Sequence, residues 1–361
     1  MLNDDFLEPK LAQRRSDGSF RELKIRHDCT DFSSNDYLGI ARIVLPGDGL
    51  AHFANGSTGS RLLTGNSALA LMVEDQIAAF HKGKAAILYN SGYDANIGLL
   101  SCVPQKGDTI IYDFLSHASI RDGIRLSAAQ SYSFRHNDLN DLESRLKTAT
   151  GTVFVVTESV FSMDGDLAPL REMSKLCERQ NANLIVDEAH ATGVLGPRGA
   201  GLVQEYELEQ HCFARIYTFG KALGCHGAVV VGSERLKDFL VNFSRAFIYT
   251  TALPPAALIA IERSYELFPE MDGQREKLGH LIEKFQSAKL NFQKLETGTP
   301  IQGVIVPGNE NAKQLSSVLL DKGLDVRPIL YPTVPRGSER LRIVMHSFNT
   351  FSEVDILING L

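Results

Sequence analysis

Short apolar runs alternate with amphipathic stretches from about residue 84 to residue 235 of this 361-residue chain, and that rhythm leaves few architectures open. Ala85–Tyr89, Thr109–Tyr112, Thr152–Thr157, Leu184–Asp187 and Ala228–Val231 read as strands. Segments such as Leu167–Gln180, between them, carry helical periodicity. Alternation of this kind predicts an α/β domain built on a mainly parallel sheet. In such sheets ligands bind beyond the carboxyl ends of the strands. Asn66 and Ser67 offer an N-cap for a helix running to about His81. Helical stretches over Pro255–Phe268 and Gly273–Lys289 follow. The tail then repeats strand, helix and strand over Ile301–Val306, Ala312–Asp321 and Arg340–Met345. The expected organisation is an N-terminal arm over 1–45, a large domain over 46–269 and a smaller α+β domain over 270–361.

Two strand ends carry chemistry. Lys221 lies in the glycine-flanked turn Thr218-Phe219-Gly220-Lys221-Ala222-Leu223-Gly224, just after the apolar run Phe213–Tyr217. Asp187 ends the run Asn183-Leu184-Ile185-Val186. An amine and a carboxylate at strand ends are what a pyridoxal phosphate site needs: the lysine forms the imine and the carboxylate keeps the pyridine nitrogen protonated. The main rival for a Gly-Lys turn is a nucleotide-binding phosphate loop. That loop needs Gly where Arg215 stands and Ser or Thr where Ala222 stands, so the pattern fails twice. The bland alternatives are a surface lysine in a turn and a helix-capping aspartate. His190, three residues beyond Asp187, is close enough to reach the same ring's oxygen, or else it caps or faces solvent. Ser91-Gly92-Tyr93-Asp94-Ala95-Asn96 follows a strand and opens a helix, where backbone N–H groups receive phosphate and Gly92 allows close approach. His117, in Leu115-Ser116-His117-Ala118-Ser119, is suited to stacking on a planar ring, or to capping a helix.

Composition removes other classes. The net charge of -6 carries no footprint for nucleic acid. No apolar run approaches the roughly 20 residues needed to cross a bilayer. Met1-Leu2-Asn3-Asp4-Asp5 is acidic and lacks the apolar stretch of a signal peptide. The five cysteines, Cys29, Cys102, Cys177, Cys212 and Cys225, form no CxxC pair, which points to a reduced, cytoplasmic setting without metal.

With these residues in place the chain resembles the α-oxoamine synthases, fold-type I pyridoxal-phosphate transferases that join an amino acid to an acyl thioester with loss of CO₂. The resemblance runs from about Phe32 to the C-terminal segment. It is carried by Ser34-Asn35-Asp36-Tyr37-Leu38-Gly39, Gly59-Ser60-Arg61-Leu62-Leu63-Thr64-Gly65 and Ser116-His117-Ala118-Ser119. Later come Glu158-Ser159-Val160-Phe161-Ser162-Met163-Asp164-Gly165-Asp166, Asp187-Glu188-Ala189-His190 and Thr218-Phe219-Gly220-Lys221. Pro332-Thr333-Val334-Pro335 and Arg340-Leu341-Arg342-Ile343 extend it into the tail.

The resemblance implies roles. Lys221 holds the cofactor and then shuttles a proton; Asp187 pairs with the pyridine nitrogen and His190 with the ring hydroxyl; His117 stacks on the ring. Gly92 and Tyr93 offer backbone N–H groups to the phosphate, and Thr218 adds a hydroxyl. Thr250 and Thr251 reach the phosphate of a neighbouring subunit, which implies a homodimer with composite sites. Glu158 and Ser162 lie beside the cofactor, Arg342 grips the amino-acid carboxylate, and Asn35 sits near the reacting carbon. The implied substrates are an amino acid and an acyl-CoA or acyl-carrier-protein thioester, with L-alanine and a pimeloyl thioester favoured over glycine or serine with another acyl-CoA. The chain departs from the pattern in a shorter N-terminal arm, in Ala191 where glycine is common, and in Cys225-His226 after the lysine turn.

Overall fold

The computed structural model describes residues 3–25, 28–43 and 54–361. It forms two compact units. One comprises the described residues up to Ser34, together with Met163–Asp166 and Glu276–Leu361; the other comprises Asn35–Ser162 and Leu167–Arg275. In chain order the strands are β1 (Thr30–Asp31), β2 (Ala85–Tyr89), β3 (Thr109–Asp113), β4 (Gln130–Phe134), β5 (Val153–Glu158) and β6 (Asn183–Asp187). They continue with β7 (Cys212–Thr218), β8 (Ala228–Gly232), β9 (Ile301–Ile305), β10 (Leu324–Asp325), β11 (Arg327–Ile329) and β12 (Arg340–Val344). Four helices concern the argument: α1 (Glu8–Ser16), α2 (Ala68–Phe80), α3 (Gly92–Leu100) and α4 (Ala118–Leu126).

In the unit that holds Lys221, seven strands form one sheet in the order β2-β8-β7-β6-β5-β3-β4. All neighbours are parallel except β8, which runs against both β2 and β7. The mixed, mainly parallel sheet is the expected one. Its central strands are apolar because both faces are covered: every residue of β2 and of β5 is buried. Ile87, Val156, Ile185, Ile216 and Val230 pack in one cluster with Leu99 and Leu100 of α3 and Ile120 and Ile124 of α4. Each such side chain stabilises the fold by about 1.5–3 kcal/mol on burial. That packing fixes the start of α3 and of α4 against the sheet, which is where the candidate site lies.

The other unit carries an antiparallel sheet, β11-β12-β9, and a two-stranded parallel pair, β1-β10. The helix Asn309–Asp321 supplies the expected middle piece between β9 and β12. The structure adds elements that periodicity does not reveal. β4 is one: Gln130, Ser131 and Tyr132 are exposed, so this edge strand has almost no apolar signature. α1, near the N-terminus, buries no residue, so nothing in its composition marks a packed helix. The expected caps hold where side chains make them. Ser67 accepts the N–H of Ala70 at 3.2 Å to start α2, which ends one residue short of His81. Among the described residues no helix is long and apolar enough to cross a membrane, and no acidic, His and Cys cluster could hold a metal ion.

Candidate active site

Because β2, β3, β5, β6 and β7 run the same way, their carboxyl ends meet along one edge of the sheet. β5 ends on Glu158 and β6 on Asp187, opposite each other in register. Asp187 is 5% exposed, and a carboxylate so buried must be partnered. Asn96 Nδ2 donates to its Oδ2 at 2.8 Å and the Ala189 N–H donates to its Oδ1 at 3.0 Å. Glu158 accepts the N–H of His117 at 2.7 Å. Burial, reinforced by the charge of Asp187 and opposed by that of Lys221, pushes its carboxyl up to about 8.

That shift has a measurable sign. The unfolded carboxyl ionises near 4.5, so between about 4.5 and 8 the folded state binds a proton that the unfolded state has lost. The associated stability is complete below the lower value and drains away as pH rises to the upper one. In cofactor-free protein, the Glu158→Gln variant is expected to show a flatter fall of the thermal midpoint across that window than the parent. Parallel curves for the two proteins would contradict the assignment.

His117 caps α4: its Nδ1 accepts the Ser119 N–H at 3.2 Å and lies 2.8 Å from Ser119 Oγ. Ser119 Oγ in turn accepts from Asn96 Nδ2 at 3.0 Å. An Nδ1 that accepts leaves the proton on Nε2, so the neutral ring carries Nε2–H. Burial, with Lys221 adding and Asp187 opposing, holds this imidazole below the usual histidine range. Capping and ring stacking are thus compatible, since the cap uses one ring edge and leaves the face. Asn96 ties the His117 turn to Asp187, a role that nothing in its local sequence signals.

Lys221 sits in the turn between β7 and β8. Phe219 N–H donates to Gly227 O at 2.9 Å, Cys225 N–H to Phe219 O at 2.8 Å and Gly224 N–H to Lys221 O at 2.8 Å. Gly224 has a φ of +63° and packs against the backbone of Ile40 and Ala41, a position that only glycine fills without strain. Lys221 Nζ lies 2.9 Å from His190 Nε2, and His190 Nδ1 lies 2.6 Å from the hydroxyl of Tyr37, a fully buried residue. The Tyr37 hydroxyl donates to Asn35 Oδ1 at 3.2 Å. Tyr37 belongs to a motif that carries the family resemblance, but its contact with His190 spans 153 positions and has no local signature.

At the β2 end, Ser91 caps α3 by accepting the Asp94 N–H at 3.0 Å. Gly92 and Tyr93 precede it in the first turn, where N–H groups lack helical acceptors. A Cβ on Gly92 would collide with Thr218 Oγ1, so glycine is what lets this turn sit against the end of β7. Tyr93 itself points its phenol to Asp122. Thr250 Oγ1 accepts from Asn90 Nδ2 at 2.8 Å, and the carbonyl of Thr251 accepts from the same nitrogen at 3.0 Å. Ser162 is half-buried beyond β5. Arg342 belongs to the other unit, where it lies on β12 opposite Gly303 and Arg327. Glu188, beside Asp187 and fully buried, accepts the N–H groups of Leu202 and Val203 and the hydroxyl of Ser159; it braces the backbone there. His226 is exposed at the outer end of the lysine turn.

Comparison with known proteins bears on this constellation. Residues 27–361 match the family model for aminotransferase class I and II. The 8-amino-7-oxononanoate synthase of Emericella nidulans is 41% identical, over 98% of this chain and 94% of its own length. That of Pseudomonas putida KT2440 is 40% identical, over 98% of this chain and 96% of its own. The chain belongs to the α-oxoamine synthases. Among solved structures, serine palmitoyltransferase from S. paucimobilis with a bound PLP–myriocin aldimine superposes with a TM-score of 0.91 at 28% identity, covering 99% of this chain and 96% of that one. The 8-amino-7-oxononanoate synthase of Francisella tularensis superposes with a TM-score of 0.78 at 30% identity, covering 92% and 96%.

As an α-oxoamine synthase the protein is a pyridoxal-phosphate-dependent acyltransferase of fold-type I. Its residues fit that cofactor on the geometry alone. A buried carboxylate stands at the end of β6, and an amine stands beside an imidazole at the end of β7. A glycine-opened helix start next to a threonine hydroxyl makes an anion cradle. The site's charged groups also sense one another: His117 and Glu158 both feel the charges of Asp187 and Lys221.

Proposed function

We propose that this α-oxoamine synthase condenses L-alanine with a pimeloyl thioester, releasing CO₂ and free thiol and yielding 8-amino-7-oxononanoate for biotin synthesis. The observation that carries the proposal is identity of about 40% to 8-amino-7-oxononanoate synthases along nearly the whole chain. Pyridoxal phosphate, when bound, supplies the electron sink for the pair left after the amino acid loses its α-proton. Lys221 takes that proton at Nζ and returns one to the product. Asp187 would accept the ring N–H, His190 would meet the ring hydroxyl and His117 would stack on the ring. Gly92, Tyr93 and Thr218 would hold the phosphate, and Thr250 and Thr251 would reach that of a second copy in a homodimer. Glu158 and Ser162 line the ring, Asn35 stands near the reacting carbon and Arg342 binds the amino-acid carboxylate as a bidentate pair. The large domain expected over 46–269 carries the site together with Asn35 and Tyr37 from the arm expected over 1–45, and a smaller domain follows over 270–361. A cytoplasmic setting suits its reduced cysteines.

One observation favours a second substrate pair. The solved serine palmitoyltransferase superposes more closely than the solved 8-amino-7-oxononanoate synthase, with TM-scores of 0.91 and 0.78. Serine with a long acyl thioester is therefore the rival. Thiol release measured across alanine, glycine and serine, each with pimeloyl-, acetyl- and palmitoyl-CoA, separates them. Alanine with pimeloyl-CoA is expected to lead kcat/KM by about tenfold or more. A lead for serine with palmitoyl-CoA would replace the proposal.

A further inference from the structure

Thr250 and Thr251 are held from two sides, and both holds lead back to one buried carboxylate that the roles above leave unused. On one side stands Asn90, just past the end of β2, whose Nδ2 donates to Thr250 Oγ1 and to the Thr251 carbonyl. On the other stands the turn Gly59–Gly65. Gly59 O accepts the N–H of Ala252 at 2.9 Å, and a Cβ on Gly65 would collide with Gly59 O and with the Ala252 side chain. Glu74, in α2 and 1% exposed, reaches both sides. Its Oε1 accepts the N–H of Leu88, on the edge strand β2, at 3.1 Å and meets Arg61 Nη1 at 2.7 Å. Its Oε2 meets Lys237 Nζ at 3.1 Å. Arg61 Nε donates to Asn66 Oδ1 at 2.7 Å, which ties the far end of the turn to the same guanidinium. Arg61, Asn90 and Thr250 line one small cavity of about 20 Å³, so the two holds meet in space. A carboxylate buried this deeply is costly unless charges and hydrogen bonds meet it. Here two cations and a backbone N–H do so, and two of those three partners belong to the segments that hold Thr250 and Thr251.

We propose that Glu74 is a positioning residue that sets Thr250 and Thr251 for the phosphate bound to a second copy of the chain. No bond of the reaction runs through it. Its charge fixes the Arg61 turn, its Oε1 fixes the end of β2, and residues 250–252 take their place from both. The inference rests on the homodimer with composite sites proposed above. Its consequence is directional: damage at Glu74 is felt in the partner's site and not in the site of the chain that carries it.

The test uses full-length chains with two different affinity tags, co-expressed, isolated as mixed dimers and freed of cofactor. Pyridoxal phosphate is then titrated in, and the lysine–cofactor absorbance reports only a site whose own chain keeps Lys221. In the first dimer one chain carries both Glu74→Gln and Lys221→Ala and the other is parental. The reporting site then takes Thr250 and Thr251 from the altered chain, and its affinity is expected to fall about tenfold. In the second dimer a Glu74→Gln chain faces a Lys221→Ala chain. The reporting site then takes them from a chain with Glu74 intact, and parental affinity is expected. Arg61→Gln in place of Glu74→Gln is expected to give the same pattern. It leaves Glu74 its Lys237 partner and so answers the case in which Glu74→Gln does not fold. Lys237→Met cuts the third contact but neither hold, and is expected to leave the affinity unchanged. Unchanged affinity in the first dimer, a defect in the second, or an equal loss with Lys237→Met overturns the inference while leaving the function intact. A parent that captures pyridoxal phosphate as a monomer overturns the composite site and the inference with it.

Discussion

Lys221→Ala is expected to purify as a folded protein that lacks the lysine–cofactor absorbance near the visible edge and turns over at least about a thousandfold more slowly than the parent. The fold should survive because the turn is held by backbone, not by the side chain: Phe219, Gly224 and Cys225 N–H groups all bond within it. Lys221 is half-buried and its amine meets His190 Nε2, so truncation removes no core packing. The chemistry should not survive. Free amines of about pKa 10.4 in solution cannot replace an amine held at the strand end. Thermal melting and absorbance spectra check the first half, and thiol release checks the second. A variant with parental turnover would remove Lys221 from the mechanism.

Asp187→Asn comes second, with an expected loss of about a hundredfold to a thousandfold in kcat. The substitution keeps size and removes charge. A carboxylate that accepts from a ring N–H keeps that nitrogen protonated, and only the protonated ring is a strong electron sink. An amide offers no such preference. The change also disturbs the parent's own wiring, since Asn96 Nδ2 would then face an amide where it faces Asp187 Oδ2 at 2.8 Å. The affinity for pyridoxal phosphate, measured by fluorescence titration, should weaken far less than kcat falls, because the Gly92 turn beside Thr218, proposed above to hold the phosphate, is untouched. Equal losses in affinity and kcat would make Asp187 a binding residue only.

Much of the fold and of the candidate site is legible in the amino-acid sequence. The sheet strands announce themselves because buried strands must be apolar, and Asp187 and Lys221 stand out because they interrupt that pattern at strand ends. β4 does not announce itself: an edge strand with Gln130, Ser131 and Tyr132 exposed has no apolar run to find. Asn96 and Tyr37 are hidden for a different reason. Both lie in recognisable motifs, yet each acts through a partner far along the chain, 91 positions away for Asn96 and 153 for Tyr37. Periodicity reports on neighbours one or two turns away. It cannot say which buried amide meets which carboxylate once the sheet brings their strands together.

The reversal of β8 has its own consequence. Had β8 run parallel to β7, the chain leaving Thr218 would have needed a crossover of about a dozen residues or more to return to the far edge. Running antiparallel, it turns back within Phe219–Gly227 and pairs at once, Thr218 opposite Ala228. Lys221 is therefore mounted on a hairpin whose two ends are anchored in inner strands of the sheet. Its amine travels only as far as four methylenes allow. A lysine mounted this way meets His190 by the rotation of one side chain on a backbone-anchored turn.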